Sequence, residues 1–122
     1  MKQFVLASLF AGAIAAPAMA DYTIIAPANP GGGWDQTART MQTVMQEDGI
    51  SKSVQVQNVP GAGGTIGITE AVKAAPTGYD MVMGQKDNVV LGPYLYKSLP
   101  WNPTNDLTPV AHVAYTRSEE HT

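Results

Sequence analysis

The chain has 122 residues, a formal net charge of −3 and no cysteine. A chain of this length with 44% hydrophobic residues can bury one modest core, so one domain or part of a larger domain is expected. The small, unclustered charge excludes recruitment of nucleic acid or an anionic membrane by bulk charge, and the absence of cysteine excludes a lipid-modified N-terminus and a disulfide framework.

Residues 1–20 are typical of a secretory signal peptide. Lys2 precedes an apolar run over residues 4–16, which is followed by Pro17 and the small-residue pattern Ala18-Met19-Ala20. This layout predicts cleavage before Asp21. A membrane anchor is the alternative, but the run is shorter than the roughly 20 residues that cross a bilayer. An exported chain without disulfides must depend on its core, which favours the bacterial periplasm as its location.

Two strand and helix units follow the leader. Tyr22–Ala26 is a compact β-branched run and Val54–Val59 alternates apolar and polar residues, so each predicts a strand. Apolar residues then recur at helical spacing, which predicts one helix over Asp35–Glu47 and another over the segment TIGITEAVKAA. The residues expected on the inner faces are Ala38, Met41, Val44 and Met45 in the first helix and Ile66, Val72 and Ala75 in the second.

Two further apolar runs, Tyr79–Gly84 and Thr108–Tyr115, predict a third and a fourth strand. The segment between them, LGPYLYKSLPWNPTNDL, is rich in Pro, aromatic residues and Asn, and predicts a short helix followed by an irregular surface segment. Strands that are separated by helices normally pair in parallel, with both sheet faces covered. We therefore expect a doubly wound α/β fold with a mostly parallel sheet and flanking helices.

Each of the first two predicted strands leads into a helix through a glycine-rich segment. The first glycine loop is Pro30–Asp35 (PGGGWD) and the second glycine loop is Pro60–Thr65 (PGAGGT). At the carboxyl edge of a parallel sheet, such a loop and the unpaired N–H groups of the helix start can hold an anion without a basic side chain. Tight turns without a ligand are the alternative, but two glycine clusters at equivalent positions favour binding.

The residues in and around these loops narrow the choice of anion. Neither loop contains the glycine, lysine and hydroxyl string of a phosphate loop, and Ile66 stands where the dinucleotide fingerprint needs its third glycine. A carboxylate is therefore the better interpretation. Asp35 can complement the helix dipole and pair with Arg39, or contact the ligand, and Trp34 can line a pocket or staple the helix start. His112 is expected to be structural, and the sequence shows no catalytic or metal-binding constellation.

Four segments in order resemble the solute-binding receptors of tripartite tricarboxylate transporters, the Bug or TctC family. They are IIAPANPGGGWDQTAR, VQNVPGAGGTIG, AAPTGYDMVMG and LPWNPTNDLTPVAHV, and the resemblance runs from about Asp21 to Tyr115. It implies one lobe of a two-lobed periplasmic receptor, not an enzyme, that captures a citrate-like di- or tricarboxylate in its cleft. It further implies delivery of the ligand to membrane permease subunits, no cofactor and a monomeric receptor.

The resemblance also implies which positions line the cleft. In the family, the ligand carboxylate is held by backbone amides and ordered water and not by an arginine. The matching positions are Pro30, Gly31, Gly32, Gly33, Trp34 and Asp35 in the first glycine loop, Pro60, Gly61, Ala62, Gly63, Gly64 and Thr65 in the second, and Gly84 and Gln85 after the third strand.

The sequence departs from the family pattern at its end. Family members are longer and add a second lobe. Residues 21–115 are therefore expected to form the N-terminal part of the first lobe and to bind ligand weakly or not at all alone. Residues 116–122 are polar and are expected to be a tail foreign to the family. Two other functions stay open. One is a nucleotide-dependent enzyme fragment, although Asn58 stands where an acidic ribose ligand is needed; the other is an exported interaction protein without a small ligand.

Overall fold

The computed structural model describes residues 21–114. The predicted signal peptide and the predicted foreign tail lie outside the described residues. The elements in chain order are β1 (Tyr22–Ala26), α1 (Gly33–Glu47), β2 (Val54–Asn58), a 3₁₀ turn (Ala62–Gly64), α2 (Thr65–Lys73), β3 (Asp80–Val82), a π-helical turn (Lys86–Leu91) and α3 (Gly92–Leu95).

The three strands form one parallel sheet in the order β2-β1-β3. Ile24 in the central strand lies opposite Val56 on one side and Met81 on the other. Parallel strands require a crossover between them, and α1 and α2 supply the two crossovers. The α/β fold with a parallel sheet and flanking helices is therefore confirmed, and the carboxyl ends of all three strands meet at one sheet edge.

The core lies on both faces of the central strand. Ile24 and Ala26 pack with Ala38 of α1 and Val54 of β2 in one buried cluster. Successive strand residues point to opposite faces, so Ile25 faces the other side, where α2 contacts β1 and β3. Partly buried residues that extend the first cluster are Tyr22, Met41, Met45, Val56, Met81 and Met83.

The helix α2 is rotated relative to the sequence prediction. Ile66 was expected to be buried but is 45% exposed, and the buried residues of α2 are Thr65, Gly67 and Ile68. The predicted inner residue Ala75 is also exposed, because α2 ends at Lys73. The reason is the close approach of Gly67 to the ends of β1 and β2. A Cβ on Gly67 would lie 2.6 Å from Pro27 Cβ and 3.0 Å from the Val59 carbonyl oxygen, so the helix turns this glycine inward.

The predicted fourth strand is wrong over the part that the structure describes. Residues 108–114 have no regular structure, and Val110 is 81% exposed; Tyr115 lies outside the described residues. Val113 and Ala114 instead line a shallow cavity along α1 together with Met41. An apolar run forms a strand only when a neighbouring strand offers its backbone, and none of the three described strands pairs with this segment. The predicted short helix before it is confirmed as α3.

Gly67→Ala is expected to lower the free energy of unfolding by about 1–3 kcal/mol, because its methyl group would overlap Pro27 and the Val59 carbonyl. A loss of stability in this variant would be evidence for the overlap, because alanine is otherwise favoured over glycine by about 1 kcal/mol inside a helix. Gly33→Ala, at the start of α1 with nothing within 4 Å of the new methyl, is the matched control and should be neutral or slightly stabilising. Urea unfolding of both variants makes the measurement, and a stabilised Gly67→Ala would contradict the packing.

Candidate functional site

Three loops converge at the carboxyl edge of the sheet. The first glycine loop follows β1, the second glycine loop follows β2, and Gly84 and Gln85 follow β3. Backbone bonds continue past the strand ends, from the Val59 N–H to the Ala26 carbonyl and from the Met83 N–H to the Ile25 carbonyl, each at 2.9 Å. The structure therefore brings together all three segments that the sequence assigned to one site.

The carboxylate of Asp35 organises the first glycine loop. It is 3% exposed and accepts hydrogen bonds from the Gly31 N–H at 2.8 Å, from Asn58 Nδ2 at 2.9 Å and from Arg39 Nε at 3.0 Å. Asn58 Nδ2 also donates to the Ala28 carbonyl at 3.1 Å. The last residue of β2 is thus tied to the loop that follows β1, and the predicted Asp35–Arg39 pair is confirmed.

These bonds keep the Asp35 carboxyl ionised. The hydrogen bond from Arg39, and then those from the Gly31 N–H and Asn58, lower the pKa of Asp35 from 3.8 to about 2. Both carboxylate oxygens are occupied by these donors. Asp35 therefore holds the loop in shape, and its negative charge is balanced by the adjacent guanidinium.

The start of α1 leaves backbone donors open. The first bond of the helix runs from the Gln36 N–H to the Gly32 carbonyl at 2.9 Å, so the N–H groups of Gly33 and Trp34 have no acceptor within α1. The Gly31 N–H is already committed to Asp35. The available donors of the first glycine loop are consequently at its helical end, where the partial positive charge of the helix is also concentrated.

The second glycine loop makes a left-handed turn before α2. Ala62, Gly63 and Gly64 have φ values of +47°, +62° and +93°. Ala62 is the one described residue other than glycine in this region, which is sterically costly for a residue with a Cβ. The turn consumes the Gly64 N–H in a bond to the Gly61 carbonyl, whereas the N–H groups of Ala62 and Gly63 meet no acceptor among the described residues.

Two hydroxyl groups hold the strained residue in place. The Thr65 Oγ1 hydroxyl donates to the Ala62 carbonyl at 2.8 Å, and the Tyr96 phenol donates to the same oxygen at 3.1 Å. Tyr96 directly follows α3, so it anchors the second glycine loop to the region after β3. Tyr96 was missed from the sequence, because a tyrosine in this segment belongs to no motif or periodic pattern.

Side chains from the first glycine loop and from the π-helical turn meet at Gly64. A Cβ on Gly64 would lie 2.6 Å from Asn88 Nδ2 and 2.8 Å from Trp34 Cζ3. Only glycine permits this approach, so Trp34 packs against the second glycine loop and contributes to the junction of the two loops. Asn88 was also missed from the sequence, although the spacing of Gln85 and Asn88 matches a capping box, which the structure contains.

The remaining predicted residues take peripheral positions. Seven of them are exposed at the rim of the candidate site: Pro30, Gly31, Gly32, Gly33, Pro60, Gly61 and Gly84. A Cβ on Gly84 would lie 2.9 Å from Val89 Cγ2. His112 lies exposed in the irregular segment and not in a strand.

Within residues 21–114, no group of three or more His, Cys, Asp or Glu side chains is arranged to hold a metal ion. The described helices include none with the length and apolar character needed to cross a bilayer.

A parallel sheet with two glycine-rich helix starts at one edge is an arrangement at which α/β proteins commonly bind small molecules. Residues 37–118 match the model of the family described as "Tripartite tricarboxylate transporter family receptor". The chain belongs to this family.

Similar proteins agree with this assignment. Protein BugT of Bordetella pertussis is 36% identical over 107 residues, covering 82% of this chain and 32% of BugT. A UPF0065 protein of the same organism is 31% identical over 90 residues, covering 74% of this chain and 27% of that protein. The chain thus spans about a third of the length of the curated relatives that it matches.

Solved structures share the fold as well as the sequence. MatC from Rhodopseudomonas palustris, solved with bound malate, superposes with a TM-score of 0.69 at 30% identity, covering 76% of this chain and 31% of MatC. A second structure, described as a periplasmic transporter, has a TM-score of 0.62 at 34% identity and covers 71% of this chain and 29% of its own.

The pH dependence of stability is expected to report on Asp35. Because its pKa is lowered to about 2 in the folded chain, its stabilising contribution is complete above the ordinary value of 3.8 and is lost as pH falls through about 2. Asp35→Asn removes the charge that Arg39 and the Gly31 N–H require, so this variant should be less stable at neutral pH and show a shallower decline in acid. The measurement is the urea concentration at the unfolding midpoint, for both chains, from neutral pH down to about pH 2.

The control for this experiment is Asp48→Asn, which removes an exposed carboxylate at the end of α1. It should retain the acid decline of the unmodified chain. If Asp35→Asn declined in acid as steeply as the unmodified chain does, the network would not have the role assigned to it.

Proposed function

We propose that this chain forms part of a periplasmic receptor that captures a small di- or tricarboxylate, of the malate or citrate type, for a tripartite tricarboxylate transporter. The observation that carries the proposal is the pair of helix starts at one sheet edge, each with backbone N–H groups that meet no acceptor among the described residues. Family membership and the malate bound to the similar MatC support a carboxylate as the ligand.

The donors proposed for the ligand are the N–H groups of Gly33 and Trp34 in the first glycine loop and of Ala62 and Gly63 in the second. A carboxylate has two oxygens, each able to accept more than one hydrogen bond, so one carboxylate can engage both loops directly or through water. The other residues that we propose to line this cleft are Pro30, Gly31, Gly32, Asp35, Pro60, Gly61, Gly64, Thr65, Gly84 and Gln85.

Arg39 does not serve as the anion receptor in this proposal. Its Nε donates to both oxygens of Asp35 at 3.0 Å, and its second guanidinium nitrogen lies 3.4 Å from Asn58 Oδ1. The positive charge of Arg39 is already balanced by the adjacent Asp35 carboxylate, which reduces its attraction for a second anion. The ligand is therefore held by neutral donors and by the partial charge of two helix starts.

A nucleotide-dependent enzyme is the less favoured function. Its ribose would require an acidic side chain at the end of β2, and Asn58 occupies that position with its Nδ2 donating to Ala28 and Asp35. The matched family is described as a transporter receptor family, and one similar solved structure is described as a periplasmic transporter. Both descriptions support binding without catalysis and a periplasmic location. We propose the membrane subunits of the transporter as the partners, and the part of a family-length receptor that this chain does not span as the opposing side of the cleft.

Gly33→Ala is expected to weaken carboxylate binding about tenfold or more, because the new methyl group enters the space that the ligand needs to reach the helix start. Nothing in the protein lies within 4 Å of that methyl, so stability should be unchanged or slightly raised. Titration with malate and with citrate, followed through the backbone amide signals by NMR, measures weak as well as tight binding.

Gly49→Ala is the complementary control. Gly49 follows α1 at the opposite end from the site, with φ of +72° and nothing within 4 Å, so the variant should lose stability and keep its affinity. Equal affinity in Gly33→Ala and the unmodified chain would contradict the placement of the ligand. A receptor of family length that contains this chain and responds to no di- or tricarboxylate would contradict the function itself.

A further inference from the structure

We infer that the side-chain amide of Asn88 is a further ligand-binding group, which donates a hydrogen bond to an oxygen of the bound carboxylate or of the water that bridges it. The inference rests on the proposed carboxylate-binding function and adds a residue that neither the glycine loops nor the sequence motifs contain. It concerns the point at which Asn88, Gly64 and Trp34 meet.

Asn88 holds a buried donor without a partner. Asn88 is only 2% exposed. Its Nδ2 has no hydrogen-bond partner within the described part of the chain. Buried amide groups in folded proteins nearly always have partners, and an unpaired one reduces stability. A donor kept in this state is explained when its acceptor arrives with a ligand.

The orientation of this amide is fixed by its other end. Asn88 Oδ1 accepts a hydrogen bond from the Gln85 N–H at 2.8 Å, and the Asn88 N–H donates to the Gln85 carbonyl at 3.2 Å. Exchanging oxygen and nitrogen in the amide would place two donors face to face at Gln85. The Nδ2 group is therefore held away from Gln85 and towards the two glycine loops.

The unpaired donor lies beside both helix starts. It is 2.6 Å from the position of a Cβ on Gly64, the residue that precedes α2, and Trp34 Cζ3 is 2.8 Å from the same point. Trp34 is the second residue of α1 and is itself only partly buried. Gly33 and Gly63, which carry open N–H groups, directly precede Trp34 and Gly64 in the chain, so the unpaired amide lies at the junction of the two glycine loops.

A neutral amide suits this position for a physical reason. Asp35 and Arg39 balance each other at the first helix start, so an additional cation would leave an uncompensated charge whenever the ligand is absent. An amide adds a directional hydrogen bond to the anion without that charge. Asn88 therefore completes a set of neutral donors contributed by all three loops at the sheet edge.

The test uses the 122-residue chain and malate as the probe, with the side-chain amide signals of Asn88 followed by NMR and identified by their absence in Asn88→Asp. The expected result is that these signals shift with the same half-saturation as the backbone amide signals of Gly33 and Gly63. Responses at both glycines without one at Asn88 would overturn the inference and leave the proposed function standing. Absence of any response to malate or citrate, both in this chain and in a receptor of family length that contains it, would overturn both.

Asn88→Asp supplies a second, independent measurement. The aspartate keeps an oxygen that accepts from the Gln85 N–H but replaces the donor with an acceptor that repels a carboxylate. Affinity for malate is expected to fall roughly 10- to 100-fold, the loss of a hydrogen bond to a charged group. Asn105→Asp makes the same chemical change at an exposed turn and should retain full affinity. A lowered unfolding temperature with unchanged affinity in Asn88→Asp would show that Asn88 is only structural.

Discussion

The buried carboxylate of Asp35 is the constraint on which the candidate site depends. A charge that is almost fully removed from water must be surrounded by donors, and Asp35 takes them from the loop after β1, from the end of β2 and from α1 itself. The same bonds that satisfy the charge therefore fix the relative positions of three segments. They also occupy the Gly31 N–H and balance the charge of Arg39, which leaves the N–H groups at the helical end of the loop for the proposed ligand.

The second glycine loop is held by hydrogen bonds from two hydroxyl groups and not by a buried charge. Its left-handed turn places Ala62 in a region that disfavours a side chain, and the hydroxyls of Thr65 and Tyr96 both bind the carbonyl of that residue. Strain of this kind persists only where neighbouring groups over-determine the conformation. A loop that is already held in its binding shape loses less conformational entropy when a ligand arrives, so the strain is consistent with preorganisation.

The sequence predicted those features that depend on local pattern. Periodicity placed β1, α1 and β2 to within a few residues, and two equivalent glycine clusters predicted a pair of loops that the structure brings to one edge. Features that depend on contact with a distant segment of the same chain were not predicted correctly. The run at residues 108–114 has strand-like composition but no neighbouring strand, and the phase of α2 is set by the contact of Gly67 with Pro27. Asn88 was missed because its role arises only where loops from distant parts of the chain meet.

The use of backbone donors also affects how such a site diverges between relatives. An N–H group is present in every residue except proline, so the proposed anion-binding atoms at Gly33 and Gly63 leave no side-chain signature of their own. What selection can act on is the absence of a Cβ and the shape of the loop, through residues such as Asp35, Asn58 and Tyr96 that never need to touch the ligand. If the proposed site is correct, relatives about one-third identical to this chain can keep the same backbone donors while the surrounding side chains change the choice of ligand.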